Sequence, residues 1–237
     1  MSPVAHAAVL VAFPVAAAII GSAAASFRRT SATVASGVQH FAGGVVIAAL
    51  AGEVLPDLRK DGHLPVVLIG FAAGVAFLIT LETYSKRVES RADAPPIPIG
   101  LVATVGIDLL IDGVLVGVGA TLGSRQALIL TIALTLEILF LALSVSAELA
   151  ERGASRRSAA LVPSLLGLLT AVGAIGGAAA FGNASTAVQA GVLAFGAAAL
   201  LYLVTEELLV EAHETPDTPA LTASFFLGFI LIYALAA

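Results

Sequence analysis

Apolar residues gather along this chain in eight runs of about 20, the length that crosses a roughly 30 Å hydrocarbon core at 1.5 Å per residue. The runs cover residues 4–27, 38–57, 65–84, 99–120, 126–149, 159–181, 188–210 and 220–237. The first is too long, and too bare of basic residues before it, to read as a cleaved leader. The most polar connection, KRVESRADAPPIP at 86–98, is predicted to be a mobile loop. A short GNAST turn separates the sixth and seventh runs, and EAHETPDTP precedes the last. The pattern predicts an all-α polytopic membrane protein, a single transmembrane domain over residues 1–237.

Composition agrees, since 59% hydrophobic residues, 11% charged residues and a mean hydropathy of +1.05 exclude a water-soluble domain. The chain has no Cys, which removes disulfides, thiolate ligands and a Cys nucleophile together. No basic cluster points to nucleic acid. Partners are expected to be the lipid bilayer and, through apolar outward faces, a second copy in a homodimer. The expected location is the plasma (cell inner) membrane.

The eleven Lys and Arg residues orient the stack. With the N-terminus outside, the inner connections hold Arg28, Arg29, Lys86, Arg87, Arg91, Arg152, Arg156 and Arg157, against Arg59, Lys60 and Arg125 outside. Positive charge accumulates on the cytoplasmic side, so both termini are expected outside. None of the eleven falls within an apolar run.

Seven carboxylates therefore sit in or near the membrane without a basic neighbour in the same run: Glu53, Glu82, Asp108, Asp112, Glu137, Glu206 and Glu207. A carboxylate at the bilayer centre costs about 2.5–3.5 kcal/mol on insertion scales, which makes it a functional candidate. Each such group must be protonated, reach water or hold a cation. Glu82 falls near a span end, where a headgroup position suffices. Asp108 and Asp112 are spaced i, i+4 on one face of the fourth span, and Glu137 lies at nearly the same depth in the fifth. They are the leading candidates for one midplane site. Glu53 toward the outside and Glu206 and Glu207 toward the inside extend them into a ladder.

The second span, FAGGVVIAALAGEVLPDL, is similar to AFGAAALLYLVTEELLVEA in the seventh, with Gly43 against Gly196 and Glu53 against Glu206, 153 residues apart. FAAGVAF in the third is similar to FFLGFIL in the eighth, with Gly74 against Gly228, 154 apart. Spans five apart run in opposite directions, so this reads as an inverted repeat bracketing the fourth and fifth spans, an arrangement typical of transporters.

FAGGVVIAALAGEVLPD, LLIDGVLVG and AFGAAALLYLVTEELL, in this order on these spans, resemble the ZIP family of divalent metal transporters. The resemblance covers nearly the whole chain. It implies a 3+2+3 arrangement of spans with N-out and C-out termini, and transmembrane metal transport by alternating access rather than enzymatic chemistry. Relative to the family's His-Asn-x-x-Asp-Gly segment, Asp108 and Leu109 stand for the His and Asn, while Asp112 and Gly113 are kept. Relative to His-Glu-x-x-Glu, Leu136 and Phe140 replace the first and last residues and Glu137 is kept. The family's binuclear site cannot be complete here. The metal ligands expected are Asp108, Asp112 and Glu137, with Glu206 or Glu207 added from the seventh span.

An oxygen-only set shifts preference from zinc toward a harder ion such as manganese, although carboxylates also bind zinc. Proton exchange follows if the carboxylates titrate as the metal leaves. Two alternatives stay open: a transport-inactive metal-binding or sensing protein of the same fold, and a proton or monovalent cation pathway.

The four His residues first read as loop or helix-end groups. EAHE, with His213, offers a transient hold on an emerging metal. His40, beside Gln39 at the expected opening of the second helix, faces the exit and belongs to the transport pathway with Glu53. Gly113, Gly117 and Gly119 are expected to let the fourth span pack closely, and Pro56 to end or kink the second helix. No phosphate-binding loop, Ser/His/Asp arrangement or HExxH pattern occurs.

Overall fold

The computed structural model describes every residue except 28–30, 62, 90–95, 123 and 237. Among the described residues, eight helices are long and apolar enough to cross a membrane: Pro3–Ser26, Ala32–Lys60, Leu64–Arg87, Ile99–Thr121, Ala127–Glu151, Arg156–Phe181, Thr186–Ala212 and Pro219–Ala236. There are no strands among these residues. Residues 90–95 of the expected mobile loop lie outside the described residues.

The second span begins six residues before its apolar run. Ser31 supplies the start, its hydroxyl accepting from the Val34 N–H at 3.4 Å. Ser36, Gln39 and His40 follow, polar in composition yet buried. His40 therefore lies two turns inside the helix and does not open it. Pro56 does not end the helix either, since helical structure continues to Asp61. The five residues Leu50–Val54 form a π turn in which the Leu55 N–H bonds to Leu50 O. Such a widened turn accommodates a missing proline N–H and a crowded carbonyl four residues back.

The seventh span carries a second π turn, Val204–Leu208, closed by the Leu209 N–H on Val204 O. It contains no proline, so proline is not what the feature requires. The two turns begin 154 residues apart. Ser31 and Ser185, which cap the second and seventh spans, share that offset. So do two close approaches: a Cβ on Gly228 would stand 2.2 Å from Phe41 O, and one on Gly74 would stand 2.6 Å from Phe195 O. This register sets Glu53 against Glu207, one residue beyond the Glu206 match suggested by similarity alone.

Packing follows the same plan, with the second span on the eighth, the third on the seventh, the first on the fifth and the fourth on the sixth. The first and sixth spans pack on each other. At one end of the bundle His6 Nδ1 lies 3.2 Å from Ala120 O, and the Arg125 guanidinium donates to Ala236 O. At the other end Ser146 Oγ donates to Ser22 O at 3.3 Å and Ser36 Oγ to Ala212 O at 2.8 Å. Leu115, Leu134, Ile138 and Leu149 are among the most buried side chains. The third and eighth spans are the most exposed, presenting Leu68, Ile69, Phe226, Leu227 and Ile230 outward. An apolar surface of that extent fits lipid, whose tails accept such side chains and leave the helices to satisfy their own backbones.

Candidate metal centre

The fourth span is held against the sixth by glycines. A Cβ on Gly113 would stand 2.1 Å from Thr170 O, and one on Gly117 would stand 2.2 Å from Ala174 O. Gly119 faces the fifth span instead, 3.3 Å from Leu130 Cδ2. This close contact fixes the rotation of the fourth span. Asp108 and Asp112 then share a face that looks toward Glu137 on the fifth.

One carboxylate oxygen from each of Asp108, Asp112 and Glu137 lies within 4.8 Å of the other two. Asp112 is 1% exposed and Glu137 0%, while Asp108 is half-buried and opens one side of the cluster. Neither oxygen of Glu137 has a hydrogen-bond partner, nor does Asp112 Oδ2. No described Lys or Arg forms an ion pair with any of the three. Two ionised carboxylates at that separation repel by about 3.5 kcal/mol at an effective dielectric constant near 20. Oxygens on opposite sides of an ion at a metal–oxygen distance of about 2.0–2.2 Å are about 4.0–4.4 Å apart. The cluster is thus close to the span that a divalent cation would need, and such a cation would offset the repulsion and engage the orphaned oxygens.

The other expected residues divide. Glu207 is within electrostatic range of Asp108, Asp112 and Glu137. Glu206 faces elsewhere, its electrostatic neighbours being Lys86 and Tyr202. Glu53 is half-buried near the opposite end, within range of Arg125 and Asp57. Arg125 is thus a basic neighbour that the run-by-run reading of the sequence did not supply. Glu82 pairs with Lys86 and accepts a hydrogen bond from the Tyr202 hydroxyl, a helix-end arrangement. His40 and His213 meet in a separate cluster.

Two groups went unremarked in the sequence. The hydroxyls of Thr104 and Thr170 are buried and unpartnered. Thr104 precedes Asp108 by one turn, a spacing that could have flagged it; Thr170 had no such signal. A cavity of about 500 Å³ lies between the third, fourth and seventh spans, but its apolar lining, including Ile69, Val114 and Phe195, offers no ligand. The group with ligand atoms is the charged cluster of Asp108, Asp112 and Glu137.

Eight apolar helices around a knot of buried carboxylates define a multi-pass membrane protein. The family model described as ZIP zinc transporter matches residues 82–236, well over half of the chain. The chain belongs to the ZIP family. No curated protein matches it significantly.

Proposed function

We propose that the protein carries a divalent metal cation across the plasma membrane by alternating access, with Asp108, Asp112 and Glu137 as the ligands at mid-depth. Family membership supports divalent metal transport. The observation that carries the site is the convergence of the three carboxylates with Glu137 wholly buried and both its oxygens unpartnered. A buried acid in this state raises the cost of the empty site and so favours the cation that fills it. Glu207 continues the route toward the end of the bundle that carries Ala212, and Glu53 serves the other end, the outer one in the N-out orientation. The constant 154-residue offset of π turns, caps and glycine contacts supports an inverted repeat as the moving frame. The all-oxygen donors favour a hard ion such as manganese more than a histidine-bearing set does, with zinc still accepted. Carboxylates that take protons as metal departs would couple the two fluxes.

The test is metal uptake by proteoliposomes, comparing manganese, zinc, iron, cadmium and magnesium, for the wild type, Asp112→Asn and Glu137→Gln. Saturable uptake lost by at least about tenfold in both variants is expected. Folded, reconstituted protein that moves no divalent metal overturns the proposal: metal binding without flux would indicate a sensor, and monovalent or proton flux alone a different pathway.

A further inference from the structure

A second group of coordinating side chains stands at the end of the bundle where Ser36 meets Ala212. His40 belongs to the second span, His213 caps the helix that ends the seventh, and Asp217 lies in the connection to the eighth. One ligand atom from each lies within 4.8 Å of the other two, although His40 and His213 are 173 residues apart in the chain. The two rings are tilted by 55° with centroids 5.0 Å apart. His213 Nε2 is 3.8 Å from Asp217 Oδ2.

Both imidazoles are set in the same way. His40 Nδ1 is 2.9 Å from Ser36 O and His213 Nδ1 is 2.5 Å from Leu209 O, in each case a carbonyl one helical turn earlier. A carbonyl only accepts, so each Nδ1 carries the hydrogen, and the neutral form of each ring leaves the lone pair on Nε2. Backbone carbonyls orient metal-ligating imidazoles in this manner. Ser36 Oγ donates to Ala212 O at 2.8 Å and so ties the two helices that carry the rings.

A packed core histidine or a surface ion pair does not account for this arrangement. His40 is 4% exposed, and its ring contacts with Ser36 O and Ser36 Oγ are both made at Nδ1 rather than at Nε2. His213 and Asp217 are both exposed, and such a pair alone contributes between zero and about 1 kcal/mol. A divalent ion would use all three groups, and two imidazoles with one carboxylate form a zinc-type donor set that leaves a position for water. An open position also suits a site that must release its ion.

We propose that His40, His213 and Asp217 form a second, imidazole-bearing metal site for a zinc-class divalent cation, separate from the three-carboxylate centre. Glu207 and Glu211, one turn apart on the seventh span and within electrostatic range of each other, lead from one to the other. Glu211 is held in line by Gln39 Nε2, which donates to it at 2.5 Å. As a binding site the cluster stands alone; as a station on the ion's route it rests on the function proposed above.

The two donor sets differ in a way that a spectroscopic probe reads. Cobalt(II) in a four-coordinate nitrogen and oxygen site absorbs visibly far more strongly than in a six-coordinate oxygen site. Purified full-length protein in detergent would be titrated with cobalt(II), then zinc, alongside His213→Ala, Asp217→Asn and the double variant Asp112→Asn/Glu137→Gln. The strong visible bands should appear in the wild type and the double variant, and zinc should displace them. In His213→Ala the bands should vanish and zinc affinity at this site should fall by at least about tenfold, with a smaller fall in Asp217→Asn. Wild-type protein without the strong bands, or His213→Ala that keeps them, overturns the proposal. Bands lost in His213→Ala while the double variant still transports would leave this site standing and overturn the function assigned to the carboxylates.

Discussion

Replacing Glu137 by Met should make the metal-free protein more stable while it abolishes transport. Glu137 is 0% exposed, both its oxygens lack partners, and the buried Leu134 and Ile138 flank it along the same span. An unsatisfied buried polar group costs about 1–3 kcal/mol, and a flexible thioether of similar length fills the same volume without that cost. Allowing for some repacking, the gain is about 2 kcal/mol, or roughly 4–8 °C in midpoint temperature for a chain of this size. Thermal unfolding in detergent with a chelator present measures it directly. Added metal supplies the complementary reading: at a hundred times its dissociation constant a bound ion stabilises the wild type by about 2.7 kcal/mol, and the variant should lose that response at the carboxylate centre. Observed with chelator and then with saturating metal, the order of stability should reverse. A metal-free Glu137→Met protein no more stable than the wild type would refute the reasoning, because it would mean that the carboxyl oxygens are satisfied.

Glycine substitutions should split by location. Gly113→Ala places a methyl 2.1 Å from Thr170 O, so the fourth and sixth spans must separate, and we expect a loss of more than about 2 kcal/mol with impaired metal uptake. Gly176→Ala meets nothing within 4 Å and should be neutral or stabilising by up to about 1 kcal/mol; equal thermal midpoints for the two variants would count against the described packing. Ser36→Ala removes the hydroxyl that bonds Ala212 O and should cost about 0.6–1.7 kcal/mol in the same unfolding assay.

The eight spans were legible because hydropathy reports what a bilayer demands, and the depth argument brought Asp108, Asp112 and Glu137 together because position along a straight helix is nearly linear in residue number. Hydropathy failed at the start of the second span, where residues 32–37 precede the apolar run and Ser36 is polar by type but buried against Ala212 of the seventh. The π turns left no readable trace. Pro56 marks the neighbourhood of one, and nothing marks the other, since a single widened turn leaves the apolar composition unchanged. Adjacent acids at 206 and 207 made the repeat appear one residue out of step until backbone contacts fixed it. The meeting of His40 with His213 was equally hidden, because it depends on two helices crossing and not on any period within one.

A π turn is, in effect, one extra residue accommodated within an α-helix, and it shifts the azimuth of everything beyond it by about 100°. In the second span the glycine-lined half that grips the eighth and the acidic half that follows Leu50 are thereby set at independent angles. Removing one residue from Leu50–Val54 would restore a regular helix and leave Pro56 and Asp57 facing as they do, whereas straightening the turn at full length would swing them to a different side. A regular helix of unchanged length through Val204–Leu208 would turn the end of the seventh span, including Glu211, away from Gln39. Each π turn is therefore a rotary setting of the half-helix beyond it, made by one residue and independent of the residues that follow.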